Sequence, residues 1–290
     1  MSPIVEVPRF REQYRRAVRD IRRFITAESQ KVIARHNAGL HPSKTDLGAY
    51  LDASETRYVR AIQLFNAHLE RDAVQHRALD VGGFLGAYPL TLARLGLTVT
   101  LAEVYAYYRG ALDDLSAFLS SEGIEIWDVD FTEPLPSAAT ERFTMVTNMA
   151  MLEHLSDSPE RLLQNLRRIT DERGALVVET PNIAYWPTRL ALLRGRTVHP
   201  PLDVVYQSEN PFLGHHREYT VAEVIDVLRW AGFRVQSVQC FNYTPVAVKG
   251  TIFERLATTL VDTLPTLLFE NFREVIIALA LPETEPTATV

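Results

Sequence analysis

The chain alternates between short apolar runs and longer stretches in which apolar residues recur every three or four positions. Short apolar runs bounded by turn residues predict buried strands, and the longer period predicts amphipathic helices. Both patterns succeed each other from Arg77 to Phe233. Strands alternating with helices in this way indicate a parallel sheet covered by helices on both faces. The pattern therefore predicts an α/β, doubly wound fold.

The same pattern divides the chain into three parts. We expect a helical N-terminal extension over residues 1–50 and the α/β domain over residues 51–282, with an insertion at 183–214. Thr220 and Glu223 have the spacing of a capping box and predict a helix from there to Ala231, and a further amphipathic helix is expected at 251–264. Residues 283–290, rich in Pro, Thr and Glu, are predicted to be a disordered tail.

The N-terminal extension combines an apolar face with many arginines. From Pro8 to about Ala38, apolar residues recur at helical spacing, among them Phe10, Tyr14 and Ile21. This pattern favours a helix packed on the domain with its arginines in solvent. A second interpretation stays open, in which the helix is a lid over the substrate cleft or binds an anionic acceptor.

Composition restricts the class of protein. The 290 residues are 47% hydrophobic and 23% charged, which suits a globular protein with a sizeable core. The net charge of −6 provides no overall attraction to nucleic acid or to an anionic membrane. One cysteine, Cys240, excludes an internal disulfide, and no apolar window is long enough for a transmembrane segment. We therefore expect a cytoplasmic enzyme.

Candidate chemistry begins in the stretch from Arg77 to Glu103. An apolar run is followed by three glycines, a helical pattern and a second apolar run that ends in a carboxylate. This order is typical of the nucleotide-binding half of a doubly wound fold. Glycines let the backbone approach a ligand, and a carboxylate such as that of Glu103 can accept two hydrogen bonds from a ribose diol. The alternative is a βαβ unit whose glycines only form a tight turn.

This stretch resembles the S-adenosylmethionine site of class I methyltransferases, which reads acid-x-Gly-x-Gly-x-Gly. Asp80, Gly82 and Gly86 match that motif, while Phe84 replaces the middle glycine and Gly83 precedes it. The resemblance implies a Rossmann-like, mostly parallel seven-stranded sheet with S-adenosylmethionine as cofactor. The residues it places against the cofactor here are Asp80, Gly82, Gly83, Gly86 and Glu103. The glycine spacing argues against a dehydrogenase, whose Gly-x-Gly-x-x-Gly pattern is not met in any register.

Two further segments carry the resemblance. Asp130 and Phe131 follow the predicted third strand and precede two prolines, as in the Asp-Leu-x-x-Pro-Leu-Pro segment of class I methyltransferases. An acid and an aromatic ring there suit an adenine pocket. We also expect Asn148, at the end of the fourth strand, to contact the cofactor. The sequence Leu152–Leu155 that follows, Leu-Glu-His-Leu, resembles methyltransferases related to those of ubiquinone biosynthesis.

Histidines are the natural bases for an oxygen acceptor, because their pKa lies near neutrality. His154 and His215 are expected to face the cleft, with Glu153 beside them as a third catalytic candidate. The alternative is that each histidine caps a loop or satisfies a backbone carbonyl. Some related enzymes bind a metal through Glu-x-x-Glu-His, but Ala150 stands at the first glutamate here, so we expect no metal.

The sequence thus predicts a methyltransferase that acts on a small hydroxylated acceptor, which can be a sugar, a phenol, or an anionic or lipid-linked molecule. Its acceptor pocket is expected beneath the segment from Tyr185 to His216, against the basic N-terminal helix. Two alternatives remain open. One is a nucleotide-dependent oxidoreductase, and the other is a non-catalytic domain in which Phe84 closes the cofactor pocket. Nucleic acid is not an expected acceptor, given the acidic main body.

Overall fold

The structure is a computed structural model. It describes residues 3–36, 46–69, 75–136, 140–208, 212–243 and 264–283.

A seven-stranded sheet forms the centre of the molecule, in the order β3-β2-β1-β4-β5-β7-β6. Its strands are β1 (Arg77–Val81), β2 (Thr98–Glu103), β3 (Glu125–Asp128), β4 (Phe143–Met149), β5 (Thr170–Pro181), β6 (Phe233–Phe241) and β7 (Val275–Pro282). The first five strands pair in parallel, and β7 runs antiparallel to both of its neighbours, β5 and β6. All seven residues of the central strand β4 are buried, as expected for a strand covered on both faces. The predicted fold is confirmed.

Helices cover both faces of this sheet. They are α1 (Val7–Ile21), α2 (Ala27–His36), α3 (Leu47–His68), α4 (Ala87–Arg94), α5 (Asp113–Ser121), α6 (Glu160–Ile169), α7 (Trp186–Leu193), α8 (Leu202–Gln207), α9 (Val221–Trp230) and α10 (Leu264–Leu268). Two buried apolar clusters separate them from the strands: α1, α3 and α4 pack in one, and α6 and α9 in the other. The insertion at 183–214 contains α7 and α8. Most of a helix predicted at 251–264 and residues 284–290 of the predicted tail lie outside the described residues.

Two reciprocal hydrogen bonds fix the start of α9. Thr220 accepts a hydrogen bond from the backbone of Glu223, and the Glu223 side chain accepts from the backbone of Thr220. This capping box satisfies backbone donors that the first turn of a helix leaves free. It confirms the helix start predicted from the sequence.

The N-terminal extension is part of the core. The single helix predicted from Pro8 to about Ala38 is two helices, α1 and α2, separated by a short 3-10 turn. The ring of Phe10 in α1 lies 6.0 Å from that of Tyr88 in α4, and Tyr14 donates a 2.7 Å hydrogen bond to the carbonyl oxygen of Leu51 in α3. These contacts place α1 against the domain, as the first interpretation of its pattern proposed.

The arginines of α1 are largely neutralised. Arg11 and Arg15 both pair with Glu55 of α3, at 2.6 and 2.8 Å. An arginine that is paired with a nearby carboxylate attracts a distant anion less strongly than an unpaired arginine does. The packing of α1 thus gives no support to a lid made of this helix.

Within the part of the chain that the structure describes, no helix is both long enough and apolar enough to traverse a bilayer.

Candidate active site

A cavity of about 790 Å³ opens at the carboxyl edge of the parallel strands. Ligands of doubly wound sheets bind at this edge, because the loops that follow the strands converge there. Three predicted cofactor residues line it, together with all three predicted catalytic residues: Gly82, Glu103, Asp130, Glu153, His154 and His215. Among the described residues of the first 50 positions, Leu47 and Tyr50 line it. A lid role for residues 1–50 stays a prediction.

The glycines after β1 serve different purposes. Gly82 has φ +75° and lines the cavity, where an added Cβ would lie 2.9 Å from Sδ of Met151. Gly83 and Gly86 were predicted to contact the cofactor, but neither lines the cavity. A Cβ at Gly83 would lie 2.4 Å from Oδ2 of Asp80, and one at Gly86 would lie 2.5 Å from Cδ1 of Leu119. Gly83 and Gly86 therefore permit the turn and its packing, and only Gly82 faces the ligand space.

Phe84 occupies the place of the middle glycine without closing the cavity. It has φ +52°, in the left-handed region that favours glycine, which costs about 1 kcal/mol. Its N–H donates a 2.8 Å hydrogen bond to Oε2 of Glu103. Its ring lies 5.8 Å from the ring of Tyr50 and 5.7 Å from that of Tyr108, on the cavity wall.

Glu103 is held where β2 ends. Its Oε1 accepts a 2.9 Å hydrogen bond from the backbone of Val104, while Oε2 accepts from Phe84. Burial raises its pKa, against the opposing effect of these backbone donors. The carboxylate is fixed by its own backbone contacts and still borders the cavity, which fits the predicted role toward a ribose diol.

Asp80 supports the glycine turn from below and does not line the cavity. Its Oδ1 accepts a 2.6 Å hydrogen bond from Oγ1 of Thr147, while Oδ2 has no partner in the described part of the chain. Burial raises its pKa to about 7, against the opposing effect of Thr147. Asp80 thus lies one layer beneath the turn, and its contact with the cofactor stays a prediction.

Of the two residues predicted to form the adenine pocket, the acid borders the cavity and the aromatic residue does not. Asp130 borders the cavity, and its Oδ1 accepts from the backbone and hydroxyl of Thr132 at 2.8 and 2.7 Å. Phe131 instead packs in the core beneath α6, because its apolar ring is better buried there than exposed. Asn148 is also fully buried, and its Nδ2 donates to the carbonyl oxygen of Val81 at 3.1 Å. That amide joins β4 to β1 rather than reaching the ligand space.

His154 and His215 come together as predicted. Their rings lie 4.9 Å apart and nearly perpendicular, and one ligand atom from each lies within 4.8 Å of a carboxylate oxygen of Glu153. Nδ1 of His154 is 2.6 Å from the carbonyl oxygen of Leu213, so that nitrogen carries the proton and Nε2 is an acceptor. Burial lowers the pKa of His154 to about 4, so the ring is neutral at pH 7.

Glu153 links the two histidine segments. Its backbone oxygen accepts a 2.7 Å hydrogen bond from the N–H of His216, and its Oε2 accepts at 3.1 Å from Oγ1 of Thr180. Burial raises its pKa to about 7, while the neighbouring His215 lowers it and Glu179 raises it further. The backbone bond explains how residues 153 and 215, distant in sequence, border one cavity.

Comparisons with known proteins decide the family. Residues 10–238 match the family model described as "Methyltransferase domain". The chain belongs to this methyltransferase family. No curated protein matches the sequence.

Three solved structures illustrate the shared fold. The CcbJ methyltransferase of Streptomyces caelestis is 16% identical, with a TM-score of 0.50 over 78% of this chain and 89% of that one. The N-methyltransferase NodS of Bradyrhizobium japonicum, in complex with S-adenosyl-L-homocysteine, is 14% identical with a TM-score of 0.47, covering 80% and 88% of the two chains. The pyocyanin biosynthetic protein PhzM is 17% identical with a TM-score of 0.46; the match covers 83% of this chain but only 59% of PhzM.

The cofactor that the sequence predicts for this methyltransferase is S-adenosylmethionine. The residues present fit it, because Gly82, Glu103 and Asp130 border one cavity at the carboxyl edge of the strands. Glu103 would hold the ribose and Asp130 the adenine amine, with Phe84 forming part of the wall. The interpretation as an oxidoreductase is thereby set aside, as is that of a domain whose pocket Phe84 closes.

Sequence reasoning missed three charged residues of the methyltransferase site. Glu218 lies 2.9 Å from Nδ1 of His215 through its Oε1, and its spacing of three residues was a usable signal. Arg57 of α3 and Glu179 of β5 form a buried ion pair that also lines the cavity. No local pattern reveals this pair, because its members lie 122 residues apart.

The catalytic cluster also has the spacing of a metal site. Among the described residues, Glu153, His154 and His215 form a group that could hold an ion. Ala150, with φ +53°, stands where the resemblance places a first glutamate, and the nearby Glu179 is paired with Arg57. The prediction that the enzyme needs no metal remains to be tested.

Proposed function

We propose that this methyltransferase transfers the methyl group of S-adenosylmethionine to an oxygen of a small hydroxylated acceptor, such as a sugar, a phenol or a lipid-linked alcohol. The observation that carries the proposal is the neutral ring of His154, with Nε2 free of the bond that fixes Nδ1, in the cavity that also holds Glu103.

A neutral hydroxyl is a weak nucleophile and needs a base to take its proton as the oxygen forms the new bond, whereas a neutral amine attacks without one. When bound, the sulfonium of the cofactor supplies the methyl group. His154 is suited to take the acceptor's proton at Nε2, because the carbonyl of Leu213 fixes its tautomer. Glu218 orients His215 from the opposite side. Glu153 completes a polar cluster that can hold the displaced proton.

The acceptor pocket is assigned to the wall that the insertion contributes. Tyr185, Thr188, Phe212 and Leu213 border the cavity from that segment, as expected for residues at the ligand edge of the sheet. Aromatic and hydroxyl groups together suit a sugar or phenol ring, which offers both an apolar face and hydroxyls. This placement supports a ring-shaped acceptor and does not depend on the arginines of α1.

Labelled S-adenosylmethionine incubated with matched acceptor pairs tests the proposal. Each pair presents a hydroxyl and an amine on the same sugar or phenyl ring, and mass spectrometry locates the added methyl group. We expect O-methyl products, and activity in the presence of EDTA. Methylation of the amines alone would contradict the proposal, and loss of activity in EDTA restored by magnesium would show that the Glu153 cluster holds a cation. Calorimetric binding of S-adenosylmethionine distinguishes an unsuitable acceptor from an inactive preparation.

A further inference from the structure

Exposed apolar side chains are concentrated in two segments of the chain. Eleven large apolar residues in the described part of the chain are exposed, and nine of them lie within 192–206 or 264–269. They are Leu192, Leu193, Leu202, Val205, Tyr206, Leu264, Leu267, Leu268 and Phe269. Monomeric proteins rarely expose contiguous apolar surface of this kind unless it binds something.

The geometry of α7 explains how its leucines join α10. Trp186, Arg189 and Leu193 are spaced i, i+3 and i+7, so they share one face of the helix. Trp186 stacks on Phe272 at 5.4 Å, and the guanidinium of Arg189 lies 4.6 Å from the same ring. Leu193 continues this row past Phe272 and is 79% exposed.

Phe272 extends the contact toward α10. Its ring lies 5.1 Å from that of Phe269, which directly follows Leu268, a residue that is 67% exposed. The exposed ends of α7 and α10 are thus joined through one aromatic group. We call this region, with Leu193 and Leu268 at its centre, the apolar edge.

Charge near the apolar edge differs from that of the whole chain. Residues 180–202 contain three arginines and no Asp or Glu, although the chain carries a net charge of −6. Arg194 and Arg196 are exposed, and neither takes part in an ion pair between described residues. Among the acids nearest in sequence, Glu179 is paired with Arg57, Asp203 lies within α8, and Glu270 directly follows Phe269. Exposed leucines flanked by unpaired arginines match the surface of an anionic bilayer.

The apolar edge also lies beside the cavity. Tyr185 and Thr188, at the start of α7, line the cavity, while Leu192 and Leu193 are exposed at the end of the same eight-residue helix. We propose that the apolar edge docks the enzyme on an anionic lipid surface, with the cavity mouth near the headgroups. A second copy of the chain is a less suitable occupant, because a two-fold interface would bring the same arginines of both copies close together.

Binding of the full-length protein to vesicles tests this inference independently of any acceptor. The probes are vesicles of phosphatidylcholine alone and vesicles that contain phosphatidylglycerol as well. We expect sedimentation with the anionic vesicles that weakens as salt is added, because the arginine contribution is screened. Absence of binding to anionic vesicles at low salt would overturn the proposal, whatever the enzyme methylates.

Variants locate the contact. The double substitution Leu193→Glu with Leu268→Glu should reduce vesicle binding roughly tenfold or more, since it removes apolar insertion and adds negative charge. Trp230→Glu is the matched control, because Trp230 is 81% exposed at the end of α9 and β6, which follows it, starts beside Pro282, at the opposite end of β7 from Phe272. Arg194→Gln with Arg196→Gln should remove the preference for anionic vesicles. Equal loss in the Trp230 variant would refute the assigned location.

Light scattering and cofactor binding complete the design. All variants should bind S-adenosylmethionine as the wild type does, which shows that they are folded. The wild type should give the mass of a single chain over the working concentration range. A dimer that the double glutamate substitution dissociates, without vesicle binding by the wild type, would identify the apolar edge as a subunit interface and overturn the proposal.

Discussion

The guanidinium of Arg57 in α3 pairs with the carboxylate of Glu179 near the end of β5, and each side chain is 1% exposed. Arg57 also lies 5.4 Å from the centre of the Tyr243 ring. This ion pair joins the N-terminal helices to the centre of the sheet at the floor of the cavity. A pair this deeply buried stabilises little relative to apolar replacements, but either half left alone is costly.

We therefore predict that Arg57→Met or Glu179→Leu alone lowers the free energy of unfolding by about 3–5 kcal/mol. The double substitution should cost clearly less than the sum of the two single substitutions, because it leaves no unpaired charge. Urea denaturation of the three variants forms a double-mutant cycle. Additive effects would mean that solvent or neighbouring groups compensate each charge separately.

Cofactor affinity should depend on Glu103. Glu103→Ala removes the acceptor assigned to the ribose, and we expect a loss of about 2 kcal/mol, or about 30-fold in Kd. Titration calorimetry measures it. Glu125→Ala is the control, since Glu125 lies in the adjacent strand and accepts a 3.1 Å hydrogen bond from Thr100, three residues before Glu103. Unchanged affinity in the Glu103 variant would remove its ribose role.

Gly86 should be required for stability rather than for binding. Gly86→Ala and Gly96→Ala each place an alanine at positive φ, which costs about 1 kcal/mol. Only at Gly86 would the new Cβ lie 2.5 Å from Leu119; at Gly96 nothing lies within 4 Å. Overpacking should cost the Gly86 variant a further 1–3 kcal/mol, roughly. Equal melting temperatures for the two variants would show that Leu119 moves aside freely.

Turnover should depend on His154. We expect His154→Ala to lower kcat by about two to four powers of ten, the usual loss of a general base, while Kd for S-adenosylmethionine changes little. His216→Ala is the matched control, because the His216 side chain is exposed and does not line the cavity, and its Nε2 contacts the backbone carbonyl oxygen of Phe212. Near-normal turnover in the His154 variant would leave positioning alone as the source of catalysis.

His154 should also make stability depend on pH. Its pKa in the folded protein is about 4, below the ordinary value of 6.5, so the unfolded chain binds a proton that the folded chain refuses. The contribution of the neutral His154 side chain to the free energy of unfolding is fully present above pH 6.5 and is lost as pH falls toward 4. Asp80 and Glu153 act in the opposite direction, because their pKa values in the folded protein are raised to about 7. The stability that these two carboxyl groups contribute is present at low pH and is lost as pH rises toward 7.

His154→Asn isolates this contribution, because the amide can still donate to Leu213 but does not titrate. Between pH 6.5 and 4 the wild type should lose more free energy of unfolding than the variant, by at most about 3 kcal/mol. Denaturation with urea at several pH values measures both slopes. Parallel curves would mean that water reaches the ring and relieves the effect of burial.

The sequence predicted those parts of the fold that local patterns encode. The strand, glycine turn, helix and second strand up to Glu103 appear as expected, as does the capping box at Thr220. Which side chain of a loop faces the core was harder to predict from residue type. Phe131 follows Asp130 in a loop, where no period indicates which side chain faces inward, and the apolar ring took the core.

The sequence predicted the site residues that belong to local motifs, and it missed the residues that only tertiary contacts bring to the site. Glu153, His154 and His215 reach one cavity, because the backbone of Glu153 bonds that of His216. The pairing of Arg57 with Glu179 needs a contact across 122 residues, which depends on the finished sheet. Nothing in either local sequence distinguishes these two residues from solvent-exposed charges.

The position of β7 has a consequence for synthesis on the ribosome. β7 lies between β5 and β6, although it follows both in the chain. Until residues 275–282 emerge, the outer edge of β5 has no neighbour, and β6 has no strand to pair with. A nascent chain therefore exposes an unpaired apolar edge from the completion of β5 at Pro181 until β7 is made, a hazard that chaperones commonly cover. A ribosome stalled before residue 275 should consequently carry a chain prone to aggregate, even though nearly every cavity-lining residue has already been made.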